Sequence, residues 1–155
     1  DVLVLSGDVP LLTVKTIQKL LKYHYETDAV ATVLTADVED PTGYGRIVRN
    51  PDGSVDRIVE HKDASEEERK IKEINSGIYV FKKEPLFEAL KYITPNNVQG
   101  EYYITDVFFY FSHHDMKIPA VKAESWDEIH GINTIEQLER AKEILERRRQ
   151  LGFKE

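Results

Sequence analysis

The sequence predicts an α/β domain: a mixed, mostly parallel sheet with helices on both faces. Three observations carry that expectation. Residues 2–5 and 29–35 are apolar runs without alternation, as expected of strands buried on both faces. Between them lies a stretch whose apolar residues recur at helical spacing. Further on, Asn50-Pro51-Asp52-Gly53 is strong turn chemistry between two short apolar runs and marks a hairpin.

The elements follow in order. Residues 2–6 read as a strand and 13–25 as an amphipathic helix. Thr13 is placed to cap that helix, and Ile17, Leu20, Leu21 and His24 line one face. Residues 29–35 form the second buried strand. Asp40-Pro41-Thr42-Gly43 is a turn. Residues 45–48 and 55–60 pair as the hairpin, and 64–72 form a charged segment that is either helical or mobile. A strand covers 76–81. A short helix follows at 84–92, with Pro85 suited to its first turn. Residues 102–113 read as an apolar helix and 117–121 as a short strand. A long helix spans 134–149. Asn133 with Glu136 suits a capping pair at its start, and Ile135, Leu138, Ala141 and Leu145 make an inward stripe. Glu136 with Arg140 and Glu143 with Arg147 stand at i,i+4 spacing.

Bulk properties narrow the function classes. The 155 residues suffice for one domain with a core. A net charge of −7 argues against general nucleic-acid binding, which needs clustered Lys and Arg. It leaves room for a small phosphorylated ligand served by a local cation. Cysteine is absent, so thiolate chemistry and disulfides are excluded, and a reducing compartment fits. No apolar run approaches a membrane span. The chain opens directly on a core strand, and a parallel strand needs partners on both sides, so an upstream segment is expected.

The most informative string is Gly7-Asp8-Val9-Pro10-Leu11-Leu12. An acid just past a buried strand sits at the carboxyl edge of a sheet, where open α/β sheets bind ligands. A lone carboxylate there suits a hard cation such as Mg2+ carried in by phosphates. Asp8 could equally cap or solvate a loop. Other polar residues also fall at strand ends or turns: Gly45, Glu60 before His61-Lys62-Asp63, Asn75, and Asn133 after Gly131-Ile132. Each has a plain structural alternative: Gly45 as a turn residue, Glu60 as a surface ion-pair partner, Asn75 as a loop bridge, Asn133 as a helix cap.

Taken together and in order, the strings G-D-V-P-L-L, P-T-G-Y-G-R-I, I-V-E-H-K-D-A, E-I-N-S-G-I-Y-V-F, G-E-Y-Y-I-T-D and G-I-N-T are similar to one family. They resemble the uridylyltransferase (pyrophosphorylase) domain of the bacterial bifunctional N-acetylglucosamine-1-phosphate enzymes. The resemblance runs from Ser6 to Thr134. It implies the Rossmann-like fold of nucleotide-diphospho-sugar transferases. It also implies the reaction of UTP with N-acetylglucosamine 1-phosphate to give UDP-N-acetylglucosamine, a cell-wall precursor, and pyrophosphate. By this resemblance Asp8 and Asn133 would hold Mg2+, and Gly45, Glu60 and Asn75 would receive the sugar. Ser6 and Gly7 would line the nucleotide-sugar site, although the family often has Tyr where Ser6 stands. The location implied is cytoplasmic. The family is usually oligomeric, which makes a homo-oligomer an expectation, with much of that assembly coming from the acetyltransferase part.

The family's glycine-rich basic loop, its uracil-reading segment and its acetyltransferase repeats have no match here. Residues 1–155 are therefore expected to be a partial nucleotidyltransferase domain, its metal- and sugar-binding portion, inactive or nearly so alone. A dTDP- or UDP-glucose-forming nucleotidylyltransferase and a non-catalytic nucleotide-sugar binding module are the rival readings. The former tends to show G-D-N and E-K-P where this chain has G-D-V and E-H-K. Lys62 as a phosphate contact, Glu101 near the sugar, His113-His114 as a metal pair and Trp126 as a stacking partner are weaker candidates.

Overall fold

A computed structural model describes residues 1–152 of the chain. Its strands are β1 (Val2–Val4), β2 (Ala31–Asp37), β3 (Arg46–Arg49), β4 (Val55–Val59), β5 (Glu73–Phe81) and β6 (Ala120–Lys122). Its α-helices are α1 (Val14–Thr27), α2 (Glu66–Arg69), α3 (Lys83–Ala89), α4 (Asp106–Ser112) and α5 (Ile135–Gln150), with a 3-10 turn at Trp126–Glu128.

The sheet order is β4-β3-β5-β2-β6, with β1 joined to β5. The sheet is mixed, as expected, but its pairing is mainly antiparallel. Strand β5 runs against β1, β2 and β3, and β3 runs against β4. Among the described residues, the parallel pair is β2–β6. The expected parallel character survives in direction: β1, β2, β3 and β6 point one way, and β5 is inserted among them in reverse. Two buried apolar runs cannot reveal this, because the strand lying between β1 and β2 is β5, which comes after both of them and after the β3–β4 hairpin.

Strand β5 faces two cores. Tyr79 and Phe81 join Leu86 of α3 and Val107, Phe108 and Phe111 of α4 on one side. Ile74, Ile78 and Val80 join Leu20 of α1 and Leu34 of β2 on the other. Helices thus cover both faces. Phe81, Phe108 and Phe111 are fully buried, and each such ring contributes about 1.5–3 kcal/mol relative to exposure. Strand β1 is less covered: Leu3, and Leu5 just past its end, remain exposed.

Capping explains several boundaries. Thr13 caps α1 as expected, accepting from the Thr16 amide. The charged segment 64–72 resolves into α2, where Ser65 and Glu68 form a capping box. The hairpin turn is present: Gly53 takes a positive φ of 85° and its amide bonds the Asn50 carbonyl at 2.9 Å. The apolar helix expected over 102–113 is shorter, because α4 begins only at Asp106.

Helix α5 departs most from expectation. Thr134, not Asn133, is its cap, in a capping box with Gln137. Of the expected stripe only Ala141 is buried, while Ile135 and Leu138 are 75% and 43% exposed. Apolar spacing therefore overstates how much of this helix is buried. Arg140 pairs with Asp127 at 3.8 Å, across to the 3-10 turn rather than along the helix.

A bulge in β5 shapes the region that follows. Val33 pairs with Tyr79 and Thr35 with Asn75, so β2 advances two residues while β5 covers four. Ser76 bridges the break: its Oγ donates to the Leu34 carbonyl at 2.6 Å and accepts from the Ile78 amide at 3.1 Å. Gly77 takes φ +76°, and an added Cβ would stand 2.3 Å from Ser6 Oγ. Gly77→Ala should therefore cost about 1–3 kcal/mol, read as a lower unfolding midpoint in urea. In a Ser6→Ala background that cost should shrink but persist, because the backbone strain remains when the contact is gone.

Candidate functional site

Strands β1 and β3 lie along the same edge of β5, since β2 occupies the other edge. β1 ends with Val4 opposite Tyr79, and β3 begins with Arg46 opposite Ile74. A break in the sheet edge is left between them, beside the bulge. The candidate sugar residues gather at this break.

Gly45 stands at its centre, and its carbonyl accepts from the Asn75 amide at 2.9 Å. A Cβ added to Gly45 would lie 3.4 Å from Glu60 Oε1, 3.4 Å from Asn75 Cβ and 3.3 Å from the Ile58 side chain. The glycine is therefore more than a turn residue: a side chain would press on Ile58 and come into contact with both Glu60 and Asn75. Ser6 closes the break from the β1 side, donating to the Gly77 carbonyl at 3.2 Å. Gly7 follows, exposed.

Asn75 is oriented by two bonds. Its Oδ1 accepts from the Gly77 amide at 3.2 Å, and its Nδ2 donates to the Tyr79 hydroxyl at 2.7 Å. Burial pushes the Tyr79 phenol well above its ordinary range, so it stays protonated. Each amide atom of Asn75 keeps capacity for one more partner.

Glu60 is half-buried, and Thr105 Oγ1 donates to its Oε1 at 3.3 Å. Burial raises its pKa, and the neighbouring Asp63 and Asp106 push the same way, while the Thr105 bond opposes them. Among the described residues no ion pair involves Glu60, so the surface ion-pair alternative does not hold.

Asp8 and Asn133 meet across Gly131. A Cβ on Gly131 would lie 2.8 Å from Asp8 Oδ2 and 3.7 Å from Asn133 Nδ2, and the Ile132 amide donates to the Asp8 carbonyl at 2.9 Å. Both residues are exposed. Because Thr134 caps α5, the Asn133 side chain is not spent on capping. Among the described residues no group of three or more His, Cys, Asp or Glu could hold a metal ion. Any cation here would rest on these two oxygen donors. Tyr44 links the two halves: its phenol, raised by burial and then by the Asp8 charge, packs edge-on to Trp126 at 5.2 Å.

The weaker candidates fall away from this centre. Lys62 donates to Gln99 at 2.6 Å. Glu101 is exposed and precedes α4, whose first-turn acid is Asp106. The rings of His113 and His114 stack separately on Phe109 and Tyr110, one turn back, so they diverge. Trp126 packs against the α1-side core. Sequence reasoning did not single out Thr105, Tyr79, Gly77 or Gly131 for roles. Gly131 had a legible signal, a glycine two residues from a candidate ligand; Thr105 and Tyr79 had none.

The raised pKa of Glu60 carries a testable sign. Its proton is held more tightly in the folded chain than in the unfolded one. The resulting penalty is absent below the ordinary Glu value of about 4.3, grows as pH rises from there, and is full above the folded value. Glu60→Gln should therefore raise the melting temperature at neutral pH, with the gain vanishing toward pH 4. An equal gain at both pH values would show that ionisation of Glu60 is not the cause.

The model of the nucleotidyl transferase family matches residues 1–152. The chain is 51% identical to the "Bifunctional protein GlmU" of Geobacillus sp. strain WCH70 over 94% of its length, and likewise to that of Halalkalibacterium halodurans. It spans 32% of each of those relatives. In fold it is similar to a crystal structure titled as apo UDP-glucose pyrophosphorylase, with TM-score 0.65 and 18% identity. That match covers 94% of this chain and 51% of the other. A Bacillus anthracis protein described as a glucose-1-phosphate thymidylyltransferase gives TM-score 0.62 at 22% identity, over 83% of this chain and 48% of the other. On the span of the family match and the closeness of these relatives, the chain belongs to the nucleotidyl transferase family.

Proposed function

We propose that the chain is the metal- and sugar-binding portion of an enzyme that transfers a uridylyl group from UTP to N-acetylglucosamine 1-phosphate. The products are UDP-N-acetylglucosamine and pyrophosphate. The observation that carries this reading is the convergence of Gly45, Glu60 and Asn75 on one point of the sheet edge, with Asp8 and Asn133 facing each other nearby. The likeness to proteins named as bifunctional GlmU, half identical across nearly the whole chain, supports the choice of sugar.

The chemistry asks for positioning and charge neutralisation. A phosphate oxygen of the sugar phosphate attacks the α-phosphorus of UTP in line, and pyrophosphate leaves. Glu60 accepts hydrogen bonds from sugar hydroxyls, Asn75 both donates and accepts, and the bare Gly45 backbone lets an acetamido group come close. Asp8 and Asn133 would hold Mg2+. The donor set fits, because that ion takes one or two protein oxygens and fills its shell with phosphate and water. Bound there, it would neutralise developing phosphate charge. Gly131 keeps the space beside Asp8 open for it. The reading places the protein in the cytoplasm, where UTP is available; no described helix is long and apolar enough to cross a membrane.

Calorimetric titration of the chain with UDP-N-acetylglucosamine, with and without Mg2+, tests this. Binding should need Mg2+ and should exceed binding of dTDP-glucose. Asp8→Ala should abolish the Mg2+ effect, and Gly131→Ala should weaken it about tenfold by crowding the carboxylate, a difference of about 1.4 kcal/mol. Preference for dTDP-glucose by the folded chain would sink the proposed sugar.

A further inference from the structure

Among the described residues Arg46 is the largest fully buried side chain, 1% exposed, and forms no ion pair with a carboxylate. Its Nη1 donates to the Tyr44 carbonyl, its Nη2 meets His61 Nδ1 at 3.2 Å, and its Nε has no partner. Arginine can only donate, so His61 must present Nδ1 as a bare acceptor. Asp40 attracts the guanidinium and Arg69 repels it, neither forming an ion pair with it.

For stability alone this is a poor arrangement. A buried charge without its counter-ion is commonly improved upon by an apolar side chain of similar volume. Its location explains it better. Strand alternation puts the Arg46 side chain on the face opposite Gly45, and His61, in the turn just after β4 and Glu60, reaches it there. The two groups that Arg46 grips, Tyr44 and His61, are the immediate chain neighbours of those site residues.

We propose that Arg46 is a positioning residue: from behind the sheet it ties the turn carrying Gly45 to the turn carrying Glu60, holding the two sides of the sugar pocket at their spacing. The ligand part of this proposal rests on the sugar reading above; the tie between the turns does not.

The test compares the 155-residue chain with Arg46→Met, His61→Asn and His61→Ala. Amide exchange reports on the turns through the hydrogen-bonded amides of Tyr44, Asp63 and Ala64, with Tyr79 in β5 as reference. Affinity for N-acetylglucosamine 1-phosphate is read by calorimetry. Arg46→Met should keep or raise the melting temperature, speed exchange at the turn amides at least tenfold, leave Tyr79 protected, and weaken sugar-phosphate binding at least tenfold. His61→Asn, whose Oδ1 replaces Nδ1 as acceptor, should retain both properties, whereas His61→Ala should lose them. Adding His61→Ala to Arg46→Met should cost nothing further.

Unchanged turn exchange in Arg46→Met would overturn the proposal. So would a fall in melting temperature with exchange loosened equally in β5, which marks a purely structural role. Should Arg46→Met not fold, the His61 pair decides by the same readouts. A folded unsubstituted chain that ignores the sugar phosphate would refute the sugar reading, while the exchange comparison would still decide whether Arg46 ties the turns.

Discussion

The bulge of β5 depends on a single hydroxyl. Ser76 gives its proton to the Leu34 carbonyl and takes one from the Ile78 amide, so the backbone groups that the extra residues would orphan are satisfied. With the ladder repaired on the β2 side, β5 can turn Gly77 outward on its other side. That outward turn is where β1 stops and β3 starts. Ser6, Asn75 and Gly45 then converge because three segments end or bend at one place. A straight β5 would pair through, and the edge would close.

The charges follow a consistent pattern. Carboxylates stand at or just behind the open face: Asp8 at one end, and Glu60 with Asp63 and Asp106 at the other. The buried cation, Arg46, is turned to the opposite face and bonded to neutral groups. An anionic ligand approaching such a face needs a mobile cation between itself and Asp8. A neutral sugar, by contrast, would gain from a carboxylate that, among the described residues, has no ion pair and whose Oε1 accepts from a single hydroxyl, that of Thr105. On the proposed reading, the two ends of the face would serve different parts of one molecule, a phosphate and a sugar.

Much of this could be read in the chain beforehand, for physical reasons that differ by residue. Thr13, the Asn50–Gly53 turn and the strand around Val80 obey local rules that tertiary contacts did not override. Asp8, Gly45, Glu60 and Asn75 stand at strand ends and turns where each has an ordinary structural explanation; only their order along the chain, similar to that of one family, singled them out. The antiparallel insertion of β5 was not visible, since periodicity reports burial and not direction. The capping of α5 was misplaced by one residue because Asn133 and Thr134 are both good caps, and Gln137, three residues after Thr134, completes a capping box with it. Thr105 and Tyr79 act through distances of 45 and 4 residues respectively, on partners that only the fold brings close. Arg46 escaped notice because a basic residue in a strand ordinarily points to water.

The outer edge of β1 has a colloidal consequence. That edge has no strand beside it among the described residues, and Leu3 within the strand and Leu5 just past its end are 37% and 49% exposed. Backbone donors and acceptors in a row, flanked by leucines and without a lysine or proline to blunt them, form a template for another strand. The three residues of β1 are short for such a template, which limits its reach but not its stickiness. In a concentrated solution of the chain, the first self-contacts should form there, and a single charged replacement at Leu3 should keep the molecules apart.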